Sequence, residues 1–93
     1  MISVEIQLIP YNKRDGYIQI PSENMRGFPN NEVSVSLIYN KKEYPVKFYF
    51  DDDSHHGFSC LTKLFKENER LRLAEIVRVY IEKDDRYRLE IVK

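Results

Sequence analysis

Val33-Ser34-Val35-Ser36-Leu37-Ile38-Tyr39 and, after Asn40-Lys41-Lys42-Glu43, Tyr44-Pro45-Val46-Lys47-Phe48-Tyr49-Phe50 decide the fold class. In the first run Val33, Val35, Leu37 and Tyr39 share one face; in the second Tyr44, Val46, Phe48 and Phe50 do. A period of two in β-branched and aromatic residues predicts strands, and the short polar Asn40-Lys41-Lys42 between them predicts a hairpin. Pro45 inside the second run reads as an edge or bulge position, because it has no N–H to give. Outward from this pair the same pattern recurs. Ile2, Val4, Ile6 and Leu8 alternate through Ile2 to Ile9, and Tyr17 to Ile20 is a short strand. Ala74 to Glu82 carries Val77, Val79 and Ile81 with Ile76 and Tyr80 opposite, which predicts burial on both faces. Arg86 to Val92 sets Tyr87, Leu89 and Ile91 on one face, with Lys83-Asp84-Asp85 as its hairpin turn.

Helix signals are sparse. Leu61, Leu64 and Phe65 form an apolar stripe over Leu61 to about Arg70, with Lys63, Lys66, Glu67 and Glu69 facing water. Pro21 to Asn31 suggests a helical turn around Ser22 to Met25 followed by a loop. Pro10 to Gly16 and Asp51 to Gly57 read as long polar loops between strands. The expected fold is all-β with one or two short helices, a small pseudobarrel of six to seven strands. With 93 residues, one domain exhausts the chain: folding at this size buries roughly 60 to 65% of the surface, so a closed fold that wastes little apolar area is expected rather than an open sheet. The strand pattern running to Lys93 reads as a domain continuous with a larger protein, of which it is the N-terminal part.

Charge and cysteine content narrow the function classes. Fifteen Lys and Arg balance fifteen Asp and Glu, which argues against a surface that binds polyanions everywhere. Cys60 is alone, so no disulfide framework exists, and a lone thiol predicts a reducing, cytoplasmic setting. Met1 to Glu5 alternates and has no basic or long apolar run, so neither a signal peptide nor a membrane span is expected.

Two stretches carry a resemblance. Gly16-Tyr17-Ile18-Gln19-Ile20-Pro21 is similar to a strand running into Ile-Pro, and Leu61-Thr62-Lys63-Leu64-Phe65-Lys66-Glu67-Asn68-Glu69-Arg70-Leu71 followed by Ile76-Val77-Arg78-Val79-Tyr80 is similar to a Leu-Thr-Lys helix start, a Phe one turn later and the next strand. Together with the element order, they resemble the B3 family of DNA-binding pseudobarrels. That family includes plant transcription-factor domains and the effector domains of bacterial restriction endonucleases. Leu64 stands where the family often has Trp, and Ala74-Glu75 where it often has Gly-Asp; this drift suits the bacterial branch. The resemblance implies double-stranded DNA as partner, gripped in the major groove by two arms. The N-arm would be Pro10 to Gly16 and the C-arm Asp51 to Ser59.

On the N-arm, Tyr11, Asn12, Lys13 and Arg14 supply a ring, an amide that can pair with adenine, and two cations for guanine or phosphate. Read without the resemblance, a solvated loop tip is the better account of them. On the C-arm, Ser54, His55, His56 and Ser59 are the donors, whereas Asp51, Asp52 and Asp53 repel phosphate and could accept only from a cytosine amino group. Lys41 and Lys63 are candidates for phosphate contact, with ordinary surface charge as the alternative. A metal site is not expected, because neighbouring histidines on an extended segment point apart and nothing completes the ligand set. No catalytic residues or cofactors are assigned: Cys60 lacks an orienting partner and reads as inert core, and three glycines make no phosphate loop.

The function expected from these readings is sequence-specific, non-catalytic recognition of duplex DNA. The domain would target a restriction system whose nuclease or NTPase is fused or associated. A small barrel serving as a protein-interaction module is the competing class, and a small-molecule-binding barrel a weaker third.

Overall fold

The computed structural model describes all residues except 1, 22, 24–26, 52–54 and 84, with residues 51 and 55 described through their backbone. The chain runs β1 Ser3–Gln7, α1 Pro10–Asp15, β2 Ile18–Gln19, β3 Val33–Tyr39, β4 Lys42–Asp51, β5 His55–Ser59, α2 Thr62–Glu67, α3 Glu69–Leu73, β6 Ile76–Lys83 and β7 Arg86–Val92. The strands form one curled seven-stranded half-barrel in the order β1-β6-β7-β3-β4-β5-β2. All neighbours are antiparallel except β3 and β7, which pair in parallel from Ser36 opposite Arg86 to Tyr39 opposite Leu89. No helix among the described residues is long and apolar enough to cross a membrane.

Alternation places most of the core as the sequence predicts, although Ile2 and Val33, at the starts of their runs, are exposed. Val4 and Ile6, Val35 and Leu37, Tyr44, Val46 and Phe48, Val77 and Val79, and Tyr87 and Leu89 are all buried. β6 is buried on one face, however, since Ile76 is exposed. The β3–β4 hairpin turns on Asn40 and Lys41, both at positive φ (52° and 67°), as a two-residue turn matched to strand twist requires. Pro45 lies within the sheet without a bulge. Its partner Ser36 sends its N–H away from β4 to Asp85 O at 2.8 Å, so the pair needs no donor from residue 45. On the other side of β4, pairing with β5 begins only at Lys47, so the position is a local edge.

Four rings form a cluster in the core. Phe28, from the connection between β2 and β3, stacks on Tyr87 at 5.4 Å and on Phe48 at 5.7 Å between centroids. Phe58 meets Phe48, Tyr87 and Phe28 edge-on at 5.3, 5.2 and 6.1 Å, the geometry that ring quadrupoles favour.

Two connections cross the opening between the edge strands at the same end of the barrel. α1 carries the chain from β1 to β2, while α2 and α3 carry it from β5 to β6. They are stitched by Leu8 N–H to Glu75 O (2.7 Å), Leu61 N–H to Gly16 O (2.8 Å) and Lys13 Nζ to Ala74 O (2.9 Å). The single helix expected over Leu61 to Arg70 is two helices, because Asn68 (φ −126°, ψ 92°) leaves the helical region. Its amide competes for helix carbonyls, donating to Leu64 O at 2.7 Å and to the Tyr44 hydroxyl at 3.1 Å. Arg72 then donates to Phe65 O and Lys66 O, occupying carbonyls left open at the end of α2. Lys42 Nζ binds Glu67 Oε1 at 2.7 Å and ties α2 to β4. That hydrogen bond holds the Glu67 carboxyl below its usual range and raises the Lys42 ammonium. The helical turn expected at Ser22 to Met25 falls mostly outside the described residues.

Candidate nucleic-acid interface

The segment expected as an N-arm loop, Pro10 to Gly16, is helix α1. Pro10 occupies the first helical turn, where its missing N–H costs nothing. Gly16 ends the helix at φ 70°, a left-handed cap that suits glycine. A Cβ there would lie 2.5 Å from Thr62 Oγ1 and 2.7 Å from Thr62 N, so glycine also lets α1 lie against the start of α2. Asn12 is buried, with 6% exposure. Its Oδ1 accepts the Ile9 N–H at 2.8 Å, and its carbonyl accepts from Gly16 and Tyr17. Asn12 therefore caps the helix and does not reach a base, which corrects its assignment as an adenine reader. Asn12→Ala leaves the Ile9 N–H without its acceptor. The substitution is expected to cost about 1 kcal/mol, lowering Tm by about 4–8 °C. An unchanged melting curve would remove this assignment.

The C-arm is likewise shorter than expected. His55–Ser59 is strand β5, paired with β4 from Asp51 opposite His55 to Lys47 opposite Ser59. Only the turn between these strands remains as an arm, and Ser54, Asp52 and Asp53 lie outside the described residues. His56 faces the interior at 3% exposure and stacks on Phe50 at 5.7 Å. Among the described residues neither ring nitrogen has a hydrogen-bond partner, so His56 is a core ring rather than a DNA contact. Ser59 sits at the far end of β5 from the turn and donates from Oγ to Lys47 O at 3.3 Å. Cys60, expected in the core, is exposed at φ 64° just after β5.

The remaining candidates divide between two places. Arg14 extends into solvent with its guanidinium 4.6 Å from the Tyr11 ring centre and its Nε 3.1 Å from Asp15 Oδ1. Hydrogen bonding to Asp15 raises the Arg14 guanidinium and holds the Asp15 carboxyl down. Lys13 is spent on Ala74 O. Lys63 is exposed on the first turn of α2, next to Thr62, with a loose contact to Glu67 at 3.9 Å. Lys41 belongs elsewhere. It occupies the β3–β4 turn and lines a groove with Arg70 and Leu73, away from both arms.

Sequence reading passed over the residues that join the arms. β2 pairs with β5 through Ile18 opposite Phe58 and Gln19 opposite Gly57, so α1 and the β4–β5 turn flank one short edge from its two ends. Gly16, the end of α1, accepts the Leu61 N–H, so the six residues from Leu61 to His55 put α1 and that turn about 20 Å apart at strand rise. Across the outer face between them lie Tyr17 and Tyr49, both half-buried, with exposed Gln19 and Lys47. Burial pushes the Tyr49 phenol up, reinforced by neighbouring Tyr17, and Tyr17 also faces Arg14. Alternation did hold the signal: residues 17, 19, 47 and 49 are the outward partners of the inward Ile18, Ile20, Val46 and Phe48. No protein-family model matches the chain, and no curated protein matches it in sequence.

Proposed function

We propose that this domain reads duplex DNA by sequence without cutting it, serving as the targeting part of a restriction system whose catalytic chain is fused or associated. The observation that carries the reading is the outer row of Tyr11, Arg14, Tyr17 and Tyr49, with Lys47 beside it, running from α1 toward the β4–β5 turn. The guanidinium is held over the Tyr11 ring and paired with Asp15 through Nε and Nη2, so a guanine edge would take it by displacing that exposed carboxylate. Lys47 has no ion-pair partner among the described residues, which leaves it for phosphate. Lys63 flanks the same end. Tyrosine hydroxyls supply further backbone contacts, and the aspartates of the turn would select for cytosine amino groups and against loose phosphate binding. A neutral chain suits this arrangement: affinity comes from one face, with little non-specific background.

The test is binding selection on a randomised duplex library at low salt, followed by affinity against salt for the enriched sequence. A defined motif should emerge. Lys47→Ala should weaken all duplexes alike and reduce the salt slope by about one, while Arg14→Ala should cost about 1–3 kcal/mol and relax one position of the motif. No enrichment, together with unchanged binding in both variants, would refute the reading.

A further inference from the structure

An open groove of about 700 Å³ lies at the helical end of the barrel, on the β7–β3 side, between the β3–β4 turn, α3 and the end of β7. Its floor is apolar, formed by Tyr39, Ile91 and Leu73 among others. Leu73 is 74% exposed, more than any other large hydrophobic among the described residues. Solvent exposure of that degree is unremarkable for a single leucine, but here it continues an apolar depression. The rim is cationic: Lys41, Arg70 and Lys93 come from three different segments, and none has an ion-pair or hydrogen-bond partner among the described residues. The one carboxylate of the lining, Glu90, is bound by Arg88 at 2.8 Å, and Arg88 also lies 4.2 Å over the Tyr80 ring. Elsewhere on this surface arginines are matched, as Arg78 is with Glu5 and Arg86 with Glu43. The groove is therefore a place where positive charge is left over around a non-polar surface.

From this we infer that the groove docks a short acidic peptide segment that carries large apolar side chains. Phosphate contacts need no apolar floor, which disfavours nucleic acid here. An isolated anionic head group would leave the apolar floor and the exposed Leu73 uncovered. Carboxylates along a chain would meet cations offered by three separate segments, and apolar side chains between them would cover Leu73. The inference goes beyond DNA reading and uses none of the residues assigned to it.

The experiment is amide-shift mapping by NMR on the whole isotope-labelled domain. The probes are a synthetic peptide of glutamates interspersed with leucine and phenylalanine, the same peptide with glutamine for glutamate, dodecanoate, and duplex DNA. The acidic peptide should shift Tyr39, Lys41, Leu73 and Ile91, and the glutamine peptide should bind about tenfold more weakly, as loss of charge complementarity predicts. Arg70→Glu should weaken the acidic peptide by a similar factor, and Leu73→Ser by about three- to tenfold. Both positions are exposed, so folding is preserved, and each spectrum verifies it. The proposal is overturned if the acidic peptide leaves the groove amides unmoved, if dodecanoate or DNA occupies the groove in its place, or if both variants bind like wild type. A failed selection on DNA would leave it standing, and groove failure would leave DNA reading standing.

Discussion

Gly57→Ala is expected to remove about 3 kcal/mol of stability, at the upper end of what an overpacked site costs. A Cβ at this position would lie 2.0 Å from Ile18 O and 2.8 Å from Gln19 Cα. Both are backbone atoms, so no side-chain rotation relieves the contact. The only escape is to move β2 away from β5, and β2 has just two paired residues to lose. A domain of this size holds a total stability of roughly 5–10 kcal/mol, so the variant should melt far below wild type and populate unfolded chain at moderate urea. Any folded remainder should have lost the spacing between α1 and the β4–β5 turn, and with it the duplex binding proposed above. A urea midpoint equal to wild type would mean that β2 does not lie on β5 as described.

Phe58→Ala, one residue along, is expected to cost about 3–5 kcal/mol by the opposite mechanism. The phenyl ring is fully buried and meets Phe28, Phe48 and Tyr87 edge-on. Truncation leaves a void bounded by three rigid rings held on β4, β7 and the β2–β3 connection, which cannot collapse together without moving whole strands. Denaturant titration with a tryptophan-free near-ultraviolet readout from tyrosine should show the lower midpoint, and Phe58→Leu should recover much of it. A loss below about 1 kcal/mol, an ordinary surface value, would contradict the packing. The two variants are neighbours and share β2, so their effects should not add.

Much of this architecture is legible in the sequence because one force, burial of a single sheet face, writes a period of two. Val33 to Tyr39 and Tyr44 to Phe50 are long enough for that period to stand out, and Asn40-Lys41 punctuates them. α1 was illegible because six residues make too few turns for a helical period, and its determinants are local: Pro10, the Asn12 amide and Gly16. β5 was obscured by its polar-looking start His55-His56-Gly57, although the strand's inward residues, His56 and Phe58, follow the alternation. The break at Asn68 depends on the Tyr44 hydroxyl, which is distant in sequence. At the interface Tyr11 and Arg14 were readable as exposed polar chemistry, whereas Asn12, His56 and Lys41 had the right atoms in the wrong places. Tyr17, Lys47 and Tyr49 gain significance only when β2, β4 and β5 are side by side.

The parallel alignment of β3 with β7 fixes the order in which the molecule can assemble. β3, β4 and β5 are joined by short connections, as are β6 and β7, so each group can form from contacts between near neighbours in the chain. Joining the groups requires Ser36 to find Arg86, and adding β1 requires Val4 to find Val79, closures that spend chain entropy before any contact repays it. The barrel is thus two fast local units with a slow seam between them. Both long helical crossings, with the α1 face and the Arg70 rim they carry, are completed only when that seam shuts.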